Sequence, residues 1–349
     1  MSKELRYHLN STLKTFVART HSFDAIEIAK ANPIFEAAVQ AEEAGDSERA
    51  RCLYEQASRL APTHPHPRLR LAILLLEERK WNQAIRVARQ LIKRWPRIQL
   101  AYVVIAHSYA RIGRWRLAER FYRQALAIKE DPNVLLFHGV ALSQLEQNDE
   151  AEECLCKALK LDPDNEETHY NLGRIHRIKG KFDTAEKHLK RAVEINPKYK
   201  FPYAELGQLL AKDRPKEAIG LLRKAINYDP TDGWSTAYLA NALSQLRKLK
   251  AAEEQYRRLL ELWPNESLPF RIFGDFLACN RTDRSTAEWY LRKAVEIEPK
   301  DPWNNYFLGK HLIYWDRNEE ARIFLTKAAR LGHSKASELI RWIDEQASR

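Results

Sequence analysis

The side chains best suited to binding an anion lie in one stretch. Residues 65–131 carry 15 Lys or Arg against five acids, a net +10 of the chain's +11. Within it, Arg86, Arg89 and Lys93, and then Arg116, Arg120 and Arg123, recur at spacings of three and four. On helices that spacing puts them on one outward ridge. Arginine's planar fork suits bidentate contact with phosphate or carboxylate. The ridge is expected either to meet an acidic protein or nucleic acid or to be a solvated helix face.

Other candidate chemistry is thinner. Gly173 to Lys181 reads GRIHRIKGK, with six residues between its glycines where a phosphate-cradling P-loop has four. Cys154 and Cys156 are separated by one residue, so on a helix their side chains diverge by about 200° and cannot share a metal unaided. His64 and His66 flank Pro65 with no third ligand at metal spacing, which reads as a turn. No nucleophile, base and orienter can be assembled. No enzyme activity, cofactor or metal is expected.

The elements that must position these residues follow from a repeat. An alanine recurs at Ala50, Ala84, Ala118, Ala151, Ala185, Ala218, Ala252, Ala287 and Ala321, at intervals of 33 to 35. A Tyr or Leu usually stands four places later, and another small residue stands about twelve places earlier: Ala38, Ala72, Ala106, Gly139, Gly173, Gly207, Ala240, Gly274 and Gly309. Proline closes most units, at Pro62, Pro96, Pro163, Pro197, Pro230, Pro264 and Pro299. This predicts two helices per unit. Small residues let the axes approach, a large side chain fills the adjoining hole, and proline stops the second helix. One such unit cannot bury its apolar faces alone, whereas stacked units can.

Composition agrees. Of 349 residues 44% are apolar and 30% charged, only 11 are glycine, and no run of about 18 apolar residues occurs. A soluble protein without a membrane span is expected, and the N-terminal twenty residues have no continuous apolar core of a signal peptide. Four cysteines in so long a chain point to free thiols in a reducing, cytoplasmic setting.

The segment NEETHYNLGRIHRIKGKFDTAEKHLKRAVEINPK resembles a tetratricopeptide repeat, with Leu172, Gly173, Gly180, Phe182, Ala185, Leu189, Ala192 and Pro197 at the signature places. The resemblance covers residues 31–335 as nine units, the last drifting toward the Sel1-like variant. It implies an all-α, right-handed superhelical solenoid of antiparallel helix pairs. Residues 1–30 are expected to form an amphipathic helical cap and residues 336–349 a capping helix. His169 and His176 fall where the family places packing aromatics and are expected in the core.

The resemblance also implies that first helices line a concave groove. Its candidate residues here are Phe137, Tyr170, Asn171, Arg174, Trp234, Tyr238, Asn241, Arg271, Asp275, Trp303, Tyr306 and Phe307, with Leu76, His107, Val140, Glu205 and Gln208 among the others. Aromatics interspersed with hydrogen-bonding groups suit a protein or peptide ligand. The Lys and Asn set by which chaperone-tail binders of the family hold a carboxylate is not reproduced, nor is the asparagine ladder of the sugar-transferring relatives. The expected function is a non-enzymatic scaffold or adaptor. The alternatives are polyanion binding on the ridge or service as the regulatory subunit of a separately encoded enzyme.

Overall fold

The computed structural model describes residues 25–280 and 283–347, so most of the expected N-terminal cap, residues 1–24, lies outside the described residues. Nineteen helices occur among them, and eighteen form nine successive hairpins: α1 (Ala25–Glu43) with α2 (Ser47–Leu60), α3 (His66–Glu77) with α4 (Trp81–Arg94), α5 (Gln99–Arg111) with α6 (Trp115–Ile128), α7 (Pro132–Gln144) with α8 (Asn148–Leu161), α9 (Glu166–Ile178) with α10 (Phe182–Ile195), α11 (Phe201–Leu210) with α12 (Pro215–Tyr228), α13 (Gly233–Gln245) with α14 (Leu249–Leu262), α15 (Ser267–Cys279) with α16 (Arg284–Ile297), and α17 (Pro302–Tyr314) with α18 (Asn318–Arg330). A last helix, α19 (Ala336–Ala347), joins the cluster of Leu291, Leu308, Leu312 and Leu325 through Ala336 and Ile343. The first helix starts at Ala25, six residues before the repeat boundary expected at residue 31.

The repeating alanine is what brings each hairpin together. All nine alanines from Ala50 to Ala321 are fully buried. Opposite them the first helix presents Gly or Ala, and the choice follows the partner. A Cβ on Gly139, Gly173, Gly207, Gly274 or Gly309 would stand 2.5–2.8 Å from the Cγ of Leu155, Leu189, Leu222, Leu291 or Leu325, so a branched leucine demands glycine across from it. Where alanine stands instead, a buried tyrosine often faces it, and its hydroxyl finds a partner on the first helix: Tyr122 meets His107 Nδ1 at 2.7 Å and Tyr256 donates to Asn241 Oδ1 at 2.6 Å. Burying each such side chain contributes about 1.5–3 kcal/mol.

Helix ends obey local chemistry. Each of the seven proline-closed second helices stops two residues before its proline, because the residue preceding proline is driven out of the helical region. Asp131, Asn165, Asp232 and Asp301 cap the first helices that follow them, accepting from backbone N–H groups at 2.6–3.2 Å.

The chain divides into two compact units, Met1–Ile195 and Asn196–Arg349. The larger buried cluster of the first runs from Ala38 to Ile175. The second unit holds one cluster from Leu210 to Ala287 and another from Leu291 to Ile343.

Candidate ligand-binding groove

In the second unit, α11 and α13 enclose a recess of about 410 Å³ lined by Ala204, Glu205, Gln208, Asp232, Trp234, Ser235 and Tyr238. Its aromatic wall is positioned from behind. Gly233 has no Cβ because the indole of Trp263 occupies that space, where a Cβ would lie 2.3 Å from Cζ2. Trp263 in turn meets Trp234 edge-on, with ring centroids 5.3 Å apart. Trp234 is thereby held outward and is 57% exposed. Gln208 Nε2 donates to the Tyr238 hydroxyl at 2.5 Å, fixing the second ring. Asp232 closes the recess as the cap of α13, bonding both the backbone N–H and the hydroxyl of Ser235.

Further along the same unit the expected charged pair is already engaged. Arg271 donates to Asp301 and Asn304, each at 3.2 Å, and lies over the Phe307 ring. Asp275 accepts from His311 Nε2 at 2.7 Å and Lys310 Nζ at 3.3 Å. Burial works against ionisation of Asp275, but the His311 bond and the Lys310 charge outweigh it and hold its carboxyl below the ordinary range. Cys279 completes a group whose ligand atoms lie within 4.8 Å of one another, a spacing a metal could use. The Lys310 ammonium on the same carboxylate already supplies positive charge, so the cluster reads as a bridge between α15 and α17. Trp303 is half exposed, whereas Tyr306 is stacked at 3.9 Å on buried His333, which also meets Trp303 edge-on. His333 is a buried brace of these two rings that repeat periodicity does not reveal. Asn241 is exposed and receives the Tyr256 hydroxyl.

The first unit has its own recess, about 250 Å³, lined among others by Leu76, Trp81, His107, Trp115, Phe137, Val140 and Glu167. Phe137, expected in the groove, is only 8% exposed and packs edge-on against His107 at 4.6 Å. Asn171 is buried, with its amide donating to Glu167 O of its own helix. Tyr170 is half-buried under the Arg174 guanidinium.

The basic residues separate into two groups. Arg86, Arg89 and Lys93 line a cavity of about 630 Å³ together with Tyr109, Ile112 and Arg114. Arg116 and Arg120 are exposed outside it, and Arg123 is tied to buried Glu119, which also faces His138.

His66 is buried against His64, the expected turn. His176 is buried as expected and His169 half-buried, but both contact His188, which periodicity did not single out.

Paired helices, buried small residues and an aromatic first-helix face together define a tetratricopeptide-repeat solenoid. More particularly, the chain belongs to the family whose model is described as the Cilia and flagella-associated protein 70 C-terminal domain, which matches residues 83–267, and a tetratricopeptide-repeat model matches residues 41–102. Among curated proteins it is similar to human Protein O-mannosyl-transferase TMTC3, 24% identical over 64% of this chain and 28% of that protein. A Dictyostelium discoideum TPR repeat-containing protein is 27% identical over 50% of this chain and 56% of its own length. The chain thus spans about a quarter of the first relative and about half of the second. Two solved structures share the fold: the APC/C hetero-tetramer Cut9-Hcn1, with TM-score 0.60 at 15% identity over 76% of this chain and 52% of that one, and a tetratricopeptide repeat protein from Parabacteroides merdae, with TM-score 0.58 at 15% identity over 70% and 98%. Among the described residues, no helix is long and apolar enough to cross a membrane.

Proposed function

We propose that this chain is a non-enzymatic scaffold that captures an extended peptide segment of a protein partner along its first-helix groove, in a cytoplasmic setting. The observation that carries the reading is the recess at Trp234: a 57%-exposed indole braced by Trp263, beside a tyrosine and polar groups. A large aromatic held exposed at a concave site is an anchor for a partner's side chain, and its neighbours Glu205, Gln208 and Asp232 offer polar contacts to a peptide backbone. All four cysteines are unpaired, in keeping with a reducing compartment. The relatives named protein O-mannosyl-transferases are matched over no more than 28% of their length, and what matches in this chain is helical repeat. That favours a binding role for this segment over transfer chemistry.

The test is the double change Trp234→Ala and Tyr238→Ala. With the partner recovered by pull-down and identified by mass spectrometry, calorimetry should show binding weakened by about 2 kcal/mol or more while the circular dichroism spectrum is kept. Unchanged affinity in a folded variant would refute this recess as the binding site.

A further inference from the structure

A recess in the first unit is distinguished by charge that no described residue neutralises. It lies between α4 and the turn that joins α5 to α6. Arg86, Arg89, Lys93 and Arg114 surround it, and none of its nine lining residues is acidic. Several cations elsewhere do have carboxylate partners: Lys179 with Asp149 and Glu152, Arg191 with Asp164, Arg317 with Glu288, Arg123 with Glu119. Among the described residues the side chains of Arg86, Lys93 and Arg114 have no hydrogen-bond or ion-pair partner. Arg89 has only a neutral one. Its Nη2 donates to the Tyr109 hydroxyl at 2.7 Å, and its guanidinium lies 5.9 Å from that ring's centroid. Tyr109 is itself buried and stacked on Phe121, so this arginine is presented in a fixed pose without losing its charge.

Shape then narrows the occupant. A nucleic-acid strand needs a continuous cationic path along its backbone, but the ridge is interrupted, since Arg116 and Arg120 lie outside the cavity and Glu119 clamps Arg123. What remains is an open recess of about 630 Å³, with four exposed cations around it and the apolar side chains of Ile85 and Ile112 beside them. A single carboxylate would satisfy one arginine fork. A phosphoryl group, with close to two charges and three acceptor oxygens, can engage several, and the isoleucines can cover the carbon body of the side chain that bears it.

We propose that Arg86, Arg89, Lys93 and Arg114 form a binding site for a phosphorylated side chain of a partner polypeptide. The site lies in the first unit, apart from the Trp234 recess, and does not depend on that recess being used.

The test uses the full chain and fluorescence anisotropy with three probes: a degenerate peptide pool carrying a central phosphoserine or phosphotyrosine, the same pool unphosphorylated, and a single-stranded oligonucleotide of matched charge. The phosphorylated pool should bind at least about tenfold more tightly than the unphosphorylated one. Arg86→Glu with Arg114→Glu should erase that difference, while Arg116→Glu with Arg120→Glu, the same change of charge outside the cavity, should preserve it. Circular dichroism reports whether each variant is folded, and Arg86→Gln with Arg114→Gln serves if the charge reversal unfolds the chain. Equal binding of the two peptide pools, or none, overturns the proposal. So does tighter binding of the oligonucleotide, which would assign the cavity to nucleic acid, and so does an equal loss in both pairs of variants, which would reduce it to net charge.

Discussion

His188 lies 3.0 Å from His169 through their Nδ1 atoms and is stacked on His176 at 5.4 Å. Burial, followed by the proximity of those two rings, pushes its pKa from 6.5 down to about 4, with the Glu152 carboxylate opposing weakly. The folded state therefore prefers neutral His188. Its contribution to stability is whole above pH 6.5 and is lost as pH falls from there toward 4, because the unfolded chain takes up the proton first. His188→Gln removes both the packed ring and this titration. It should be destabilising at pH 7, with the deficit shrinking by about 1–2 kcal/mol at pH 5. Urea unfolding of both proteins at the two pH values checks this, and a deficit that does not change with pH would show that His188 is not the titrating group.

The hairpin is the element that repeats, and its turn is where the sequence is least uniform. Seven of the turns between paired helices hold one residue at positive φ: Gly45, Gly113 and Gly180 supply glycine, while Arg79, Glu146, Arg247 and Asp316 adopt φ near +60° with a side chain attached. That conformation crowds Cβ against the following carbonyl and costs a side-chain-bearing residue about 1–2 kcal/mol, part of which glycine's greater freedom in the unfolded chain offsets. Glu146→Gly should accordingly stabilise the protein by about 0.5–1 kcal/mol. The reverse exchange, Gly180→Glu, should destabilise it by a similar amount, although nothing stands within 4 Å of the missing Cβ. Thermal melting of the two variants decides the sign. If both changes destabilise, the Glu146 side chain contributes contacts that outweigh its backbone strain.

At the scale of the whole molecule, each compact unit carries buried clusters of its own. Residues 1–195 expressed alone should retain helical circular dichroism in proportion to their length and unfold cooperatively, since the cluster from Ala38 to Ile175 needs no residue beyond Ile195. A fragment that fails to fold or melts without cooperativity would show that the first unit's stability derives from the second. The sequence suggested one unbroken array, because no Gly- or Ser-rich linker separates the repeats, and the split at Ile195 falls inside a repeat-to-repeat turn that carries the usual proline.

What the sequence determined by itself is the repeating hairpin: its period, its helix ends at the prolines, and the small residues set against a large Tyr or Leu. Each of these follows from contacts between residues at set spacings, so periodicity exposes them directly. Groove positions such as Trp234 and Tyr238 were expected through the resemblance to the repeat family, which implies that first-helix places face a groove. Only the tertiary structure decided which candidates remain available. Arg271 and Asp275 find opposite charges on neighbouring elements, Phe137 and Asn171 are buried, Trp263 and His333 arrive from adjoining turns to brace the aromatics, and Arg114 joins Arg86, Arg89 and Lys93. These pairings depend on how one hairpin stacks on the next, and stacking juxtaposes side chains 19 to 36 residues apart whose identities obey no period.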